Sequence, residues 1–191
     1  MLKVNNIFSS IQGEGALTGI PCTFVRLHGC NLSCPFCDTT NISYVLMENK
    51  EIVKRCKQYK NSHVVFTGGE PLMQLTREDV LFFSEYFFLC VETNGTIALP
   101  EKFDHVSLSP KVSRDKCLIR EFDSLKILYP YYNDVTASQW LEDPCDHKSL
   151  QVISPEIATP AMWQAAIREV QILKNKWRVG VQIHKFMKGV E

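Results

Sequence analysis

Seven apolar runs of strand length punctuate the chain, and helical patterns separate several of them. The runs cover residues 23–28, 63–67, 88–93, 105–109, 124–129, 149–153 and 178–183. Between them, Ile52, Cys56 and Tyr59 recur at i, i+4, i+7. Val80, Phe83 and Phe87 recur at i, i+3, i+7 behind a Thr76-x-x-Asp79 capping pattern. Thr159-Pro160 supplies an N-cap and a first-turn proline, and opens a helix with Met162, Ala166, Val170 and Leu173 on one face. A shorter helix is expected near 134–141. Strands alternating with helices predict an α/β fold with a parallel sheet. Near-continuous apolar strands such as 88–91 suit burial on both faces. A complete eight-stranded barrel takes about 250 residues, and this chain has 191. The expectation is a small, incomplete (partial) TIM-type barrel of parallel strands, one domain over 1–191, with an open side for substrate, loops or a second subunit to cover.

The segments that leave the strands are polar and rich in glycine: Gly68-Gly69-Glu70-Pro71, Glu92-Thr93-Asn94-Gly95, Ser109-Pro110-Lys111, Gln151 with Ser154-Pro155, and His184-Lys185. Any one of these reads as a turn. In a barrel of parallel strands their ends converge on one mouth, where active sites form.

Composition narrows the chemistry. The 21 Lys+Arg balance 21 Asp+Glu without a basic cluster, so a partner bound by neutralising many phosphates is not expected, and nucleic acid is excluded as a direct ligand. No apolar run is long enough to span a bilayer, and Met1-Leu2-Lys3-Val4-Asn5-Asn6 is not a signal peptide; a soluble cytoplasmic protein is expected. In that compartment eight cysteines point to metal or catalytic use rather than bridges. Cys30-x3-Cys34-x2-Cys37 lies in a stretch whose Gly, Asn, Ser and Pro mark a loop. Three thiolates converging there suit either a structural zinc site, with Cys22 or a distant cysteine as fourth ligand, or a [4Fe-4S] cluster with one open iron. Cys56 and Cys90 occupy apolar positions and read as small core hydrophobes, while Cys22, Cys117 and Cys145 carry no further chemical case.

The cysteine spacing resembles the signature of radical S-adenosylmethionine (SAM) enzymes, and Gly68-Gly69-Glu70-Pro71, one strand later, resembles their methionine-binding motif. Gln12-Gly13-Glu14-Gly15, Cys37-Asp38-Thr39, Glu92-Thr93-Asn94-Gly95, Ser109-Pro110-Lys111 and Gln182-x-His184-Lys185 narrow the resemblance to the 7-carboxy-7-deazaguanine synthase family, over nearly the whole chain. The resemblance implies a radical SAM core and a carbon–nitrogen lyase of 7-deazapurine (queuosine-type) biosynthesis. In that family a reduced cluster cleaves SAM to a 5′-deoxyadenosyl radical. The radical takes hydrogen from 6-carboxy-5,6,7,8-tetrahydropterin, whose ring contracts with loss of ammonia to 7-carboxy-7-deazaguanine. A glycyl-radical activase shares the cysteine motif but does not require Gln12-Gly13-Glu14-Gly15 or Cys37-Asp38-Thr39; a zinc-stabilised binding module is the non-enzyme alternative.

The resemblance also implies roles. Cys30, Cys34 and Cys37 ligate the cluster. Phe36, Cys37, Asp38, Gly68, Gly69, Glu70, Gly95, Ser109, Pro110, Lys111 and Gln151 form the SAM site, with Glu70 accepting from the methionine ammonium. Gln12, Gly13, Glu14, Arg26, Thr93, His184 and the C-terminal Glu191 meet the substrate: Gln12 and Glu14 read its hydrogen-bonding edge, and Arg26 offers a bidentate fork to its carboxylate unless a structural ion pair claims it. Thr39 shares a Mg²⁺ ion with the substrate, as magnesium takes few protein oxygens and keeps its waters. A low-potential electron donor such as flavodoxin and a homodimer are implied as well. His28, residues 41–43 and the stretch 114–122 match no motif position.

Overall fold

The computed structural model describes residues 1–37, 43–154, 157–173 and 176–187. Its centre is one nine-stranded sheet. In chain order the elements are β1 (Leu2–Ile11), β2 (Pro21–Leu27), β3 (Val45–Met47), α1 (Asn49–Gln58), β4 (His63–Gly68), α2 (Arg77–Ser84), β5 (Phe88–Thr93), β6 (His105–Leu108), β7 (Ser124–Tyr129), β8 (His147–Val152), α3 (Pro160–Leu173) and β9 (Trp177–Gly180). The sheet order is β3-β1-β2-β4-β5-β6-β7-β8-β9. From β2 through β9 every neighbouring pair is parallel, while β1 runs antiparallel to both β2 and β3. The seven expected strands are those of the parallel run. The sheet ends at β3 and β9 without closing, as an incomplete barrel requires.

The buried strands show how period-2 side-chain placement sorts the core. Val64 and Phe66 of β4 and Leu89 and Val91 of β5 join the large cluster that also holds Ile52, Val53, Val80 and Phe83 of the helices. Val65 and Cys90, between them, point the other way into a small cluster with Cys22 and Phe24. Phe66 meets Phe83 at 4.8 Å between ring centroids, which seats α2 on β4. The helix starts where its capping box closes: Asp79 N–H donates to Thr76 Oγ1 at 3.2 Å and Thr76 N–H to Asp79 Oδ2 at 2.9 Å.

Four points differ from expectation. The first strand, β1, has no counterpart among the seven apolar runs. Its alternation breaks at a bulge between Val4 and Asn6: Leu2 and Val4 face the large cluster, and beyond the extra residue Ile7 faces it while Phe8 faces the small one. An inserted residue inverts the parity of every later position, so no single period runs through 2–11. The edge strand β3 has three residues, of which only Met47 is buried, too few to show a period. The last expected strand, 178–183, stops at Gly180, and a 3-10 turn over Ile183–Phe186 comes after it. The short helix expected near 134–141 is likewise a 3-10 turn, Ala137–Trp140. No helix among the described residues is long and apolar enough to cross a membrane.

All five cysteines outside the three-cysteine loop are buried. Burial pushes the Cys22 thiol up to about 11 and the Cys56 thiol up to about 12, and raises Cys90, Cys117 and Cys145 as well. These are core side chains, not nucleophiles. Cys22 sits at the start of β2 and Cys30 lies beyond its end; the strand separates them by roughly 17 Å at ~3.3 Å per residue. A zinc site completed by Cys22 is therefore not formed.

Candidate active site

A cleft of about 330 Å³ opens inside the sheet, and the ends of the strands supply its walls. At its rim is the loop that leaves β2. Cys30 and Cys37 are exposed there and Cys34 is half-buried; all three line the cleft. The turn between the last two is closed by Cys37 N–H donating to the Cys34 carbonyl at 3.1 Å. Leu32 N–H points at Cys30 Sγ, 3.4 Å away. Phe36 lines the cleft and sets its ring edge-on against Tyr132, centroids 4.7 Å apart. Among the described residues no three His, Cys, Asp or Glu side chains are grouped as ligands of one ion.

The end of β4 fixes this loop from behind. Gly69 N–H donates to the Leu27 carbonyl at 3.1 Å and Glu70 N–H to the Gly29 carbonyl at 2.9 Å. A Cβ on Gly69 would stand 1.8 Å from the Gly29 oxygen, so only glycine lets the two backbones approach. Both Gly68 and Gly69 line the cleft, but the space left by their missing side chains is filled by Arg26 and Leu27 at the end of β2 and by Gly29 and Cys30 of the loop.

Glu70 lies elsewhere than a ligand-facing carboxylate would. It is fully buried. Its Oε1 accepts from Leu72 N–H at 3.1 Å and Thr93 Oγ1 at 3.0 Å, and its Oε2 from Asn94 N–H at 2.7 Å. Burial raises its pKa above the carboxylate range, and these three donors, with nearby Lys111, pull against that rise. The carboxylate joins the turns after β4 and β5 into one wall. Thr93 lines the cleft with its hydroxyl hydrogen committed to Glu70. Gly95 and Pro110 are not among the lining residues; the Gly95 carbonyl accepts from Leu118 N–H at 2.8 Å behind the wall.

Deeper in the cleft, charges are paired. Lys126, in the middle of β7, is 6% exposed at its side chain, and its Nζ lies 2.5 Å from Glu14 Oε2 and 3.4 Å from Glu92 Oε1. Glu92 also accepts from Gln12 Nε2 at 3.1 Å and Thr67 Oγ1 at 2.9 Å. Glu14 accepts from Gln182 Nε2 at 2.6 Å. Burial on its own would lift the Glu92 carboxyl; Lys126, Thr67 and Gln12 outweigh it and hold the group below the usual carboxylate range. Burial likewise works against the Lys126 ammonium, and Glu14 and Glu92 raise its pKa regardless. The Glu92 carboxylate and the Lys126 ammonium thus hold their charges together in a low-dielectric pocket. The backbone completes this floor across the gap between the sheet edges: Ile183 N–H donates to the Gly13 carbonyl at 3.1 Å. His184 packs so closely on Gly13 that a Cβ there would lie 1.8 Å from its Nδ1.

Other groups retain capacity. The Arg26 guanidinium stacks over the Phe8 ring at 5.2 Å, and among the described residues it has no carboxylate ion pair, so the structural-pair alternative is not formed. Gln151 presents a buried Oε1 with no hydrogen-bond partner among the described residues. Lys111 Nζ donates to the carbonyl and the hydroxyl of Ser109, both at 2.8 Å. Burial, then the like charge of Lys126, brings its pKa down to about 8.

The cleft therefore gathers Gln12, Gly13, Glu14, Arg26, Phe36, Gly68, Gly69, Thr93, Ser109, Lys111, Gln151, His184 and the three loop cysteines. Asp38, Thr39 and Glu191 lie outside the described residues. Thr67, Glu92, Asn94, Lys126 and Gln182 also line it, and none of the five is among the site residues expected from the sequence. Glu92, Asn94 and Gln182 stand inside motifs whose other members are site residues. Lys126 has a signal of its own, a lone charge between Leu125 and Ile127 in an apolar strand, because a charge inside a core strand needs a partner.

Comparison with known proteins agrees with this geometry. The sequence profile of the radical SAM superfamily matches residues 24–121, just over half of the chain. The chain is 37% identical to the 7-carboxy-7-deazaguanine synthase of Bacteroides thetaiotaomicron over 98% of each chain. It is 31% identical to the protein of the same name from Neisseria meningitidis, over 99% of this chain and 94% of that one. The crystal structure of QueE from Escherichia coli superposes with a TM-score of 0.74 at 21% identity, covering 95% of this chain and 93% of that one, a likeness of fold.

Proposed function

This chain belongs to the radical SAM superfamily, and within it to the family of 7-carboxy-7-deazaguanine synthases; on that premise we propose that it converts 6-carboxy-5,6,7,8-tetrahydropterin to 7-carboxy-7-deazaguanine with loss of ammonia. Superfamily membership brings S-adenosylmethionine and a [4Fe-4S] cluster, and sets aside the zinc-module reading. The residues present fit both groups. Three thiols of one loop face the cleft, and a cluster, unlike a single ion, gives each cysteine its own iron. Gln151, whose Oε1 is buried without a partner among the described residues, and the Gly68-Gly69 pair line the same space. Cys30, Cys34 and Cys37 would hold the cluster, and Phe36, Gly68, Gly69, Ser109, Lys111 and Gln151 would seat SAM, with Glu70 and Gly95 supporting them from behind. Bound there, cluster and SAM supply the radical that removes a substrate hydrogen; the protein supplies position and electrostatics.

The observation that carries the substrate assignment is the pairing of an uncommitted guanidinium with a fixed carboxylate floor. Arg26 lines the cleft with its guanidinium over the Phe8 ring and, among the described residues, no ion pair, which suits the pterin carboxylate. Glu14 and Glu92, both paired with Lys126, can accept from the N–H edge of the pterin ring, and Gln12 holds Glu92 in place. Phe8, Phe24 and Leu128 add apolar lining to the cleft and limit water there. Asp38 would add to the SAM site, Thr39 would share Mg²⁺ with the substrate carboxylate, and Glu191 would add a carboxylate to the substrate site. A homodimer, a flavodoxin-like donor and a cytoplasmic location complete the reading; unbridged thiols suit that reducing compartment. Anaerobic turnover with mass-spectrometric identification of the product, with and without Mg²⁺, tests it. Reconstituted enzyme that cleaves SAM yet yields no 7-carboxy-7-deazaguanine would refute the assignment; a glycyl radical on a partner protein would favour the activase.

A further inference from the structure

One contact in the turn after β5 is used by none of these roles. Asn94 is 9% exposed. Its Oδ1 accepts from both Thr96 N–H, at 2.9 Å, and Thr96 Oγ1, at 2.6 Å. Two donors on one atom identify that end of the amide as the oxygen. The NH₂ end therefore faces the cysteine loop, where Nδ2 donates to Asn31 Oδ1 at 3.1 Å and to Cys30 Sγ at 3.9 Å. Asn31 returns a bond to Thr96 Oγ1 at 2.8 Å, which closes a ring of three side chains. The ring is anchored from below, because Asn94 N–H donates to Glu70 Oε2 at 2.7 Å. As a thiol, Cys30 donates to Asn31 Oδ1 at 3.9 Å. As a thiolate it is an acceptor only, and Leu32 N–H and the Asn94 amide are its donors.

We propose that Asn94 is a positioning residue for the iron–sulfur cluster: its side-chain amide donates to the Cys30 sulfur, orients that ligand and raises the reduction potential of the cluster. This rests on the assignment of Cys30 as a ligand. The physical reason is charge. Reduction adds a negative charge that is shared with the ligating sulfurs, and an N–H aimed at one of them stabilises the reduced form more than the oxidised form. Glu70 then acts at a distance: it fixes the turn that aims Asn94, while its own oxygens stay inside the wall.

The test is an EPR-monitored redox titration of the reconstituted protein. Asn94→Ala removes the donor without adding charge and is expected to shift the midpoint potential to a more negative value. Asn94→Asp keeps the shape, replaces the donor with an anionic oxygen, and is expected to shift it further in the same direction. Full iron and sulfide loading with the wild-type potential in both variants would overturn the proposal. Where a variant loses its cluster, melting of the cluster-free protein decides: an unchanged Tm supports a direct contact to the ligand, and a lowered Tm shows a role in the turn and overturns it. Failure of the wild-type protein to take up iron and sulfide is a different result, which removes the Cys30 assignment itself.

Discussion

The floor and the rim of the cleft are built on opposite principles. On the floor, Lys126, Glu14, Glu92, Gln12, Thr67 and Gln182 satisfy one another, so charge is fixed before any ligand arrives. Around the floor runs what serves as the rim, from the cysteine loop to Arg26 and Gln151 on the strands, and there capacity is left over: among the described residues the guanidinium of Arg26 rests on a ring without an ion pair and Gln151 Oε1 is unpartnered, while the β2 loop brings its cysteines to the cleft. A preorganised floor spends no reorganisation when substrate binds, whereas a rim with spare donors and acceptors is completed by what it binds. Perturbing the rim should therefore abolish chemistry and leave the fold, and perturbing the floor should damage the fold first.

Cys34→Ala carries the largest expected effect. It should prevent cluster assembly and reduce SAM cleavage and turnover to background, while the cluster-free protein melts near the wild-type temperature. Brown colour and normal turnover in the variant would break the distinction at once.

On the floor, Lys126→Met leaves two carboxylates facing each other without a cation. Breaking a buried pair from one side costs about 3–5 kcal/mol, readable by denaturant unfolding. The pH dependence should also change sign. In the wild type the folded-state pKa of Glu92 lies below its unfolded value of 4.5, so its contribution is present above that value and lost as pH falls through the lower one. Without Lys126, burial and the neighbouring carboxylate would raise the folded pKa, and stability should increase as pH falls from 7 towards 5. Equal slopes for wild type and variant over that interval would show that the pair is not coupled.

The same contrast explains what was legible in the sequence. The rim is contiguous: Cys30, Cys34 and Cys37 share one loop, and Gly68 and Gly69 sit together at one strand end, so spacing exposed them. The floor draws Thr67 from β4, Glu92 from β5, Lys126 from β7, Gln12 and Glu14 from the segment after β1 and Gln182 from the segment after β9, and only the register of the sheet brings these segments together. Lys126 lies 112 positions from the carboxylate it neutralises. The parallel strands were readable because burial on both faces makes them continuously apolar, and β1 was not, because its bulge breaks the period. Glu70 shows the limit of a motif: its position was legible, but its burial and its hold on Thr93 and Asn94 depend on the packing of two turns.

Arg26→Ala tests the rim more finely. A charge-assisted bond to a substrate carboxylate contributes ~1.5–3 kcal/mol, so KM for the pterin should rise about ten- to a hundredfold while uncoupled SAM cleavage persists. Cluster loss in this variant would instead make the Phe8–Arg26 stack a structural support for the loop that leaves β2.

The smallest effect should come from a site that belongs to neither region. No residue of α2 lines the cleft. Its first turn is held by the Thr76–Asp79 box, where burial pushes the Asp79 carboxyl up and the hydrogen bonds from Asn49 and Thr76 more than compensate, leaving it below the usual range. Thr76→Ala removes the cap and should cost about 1 kcal/mol, a drop in Tm of about 2–4 °C for a domain of this size. The reduction potential and KM should stay at wild-type values, because the perturbation stays in the outer layer between α2 and β4. A change in either would mean that the outer layer positions the Gly68–Gly69 end of β4, and that the rim depends on the helices as well as on the turns beneath it.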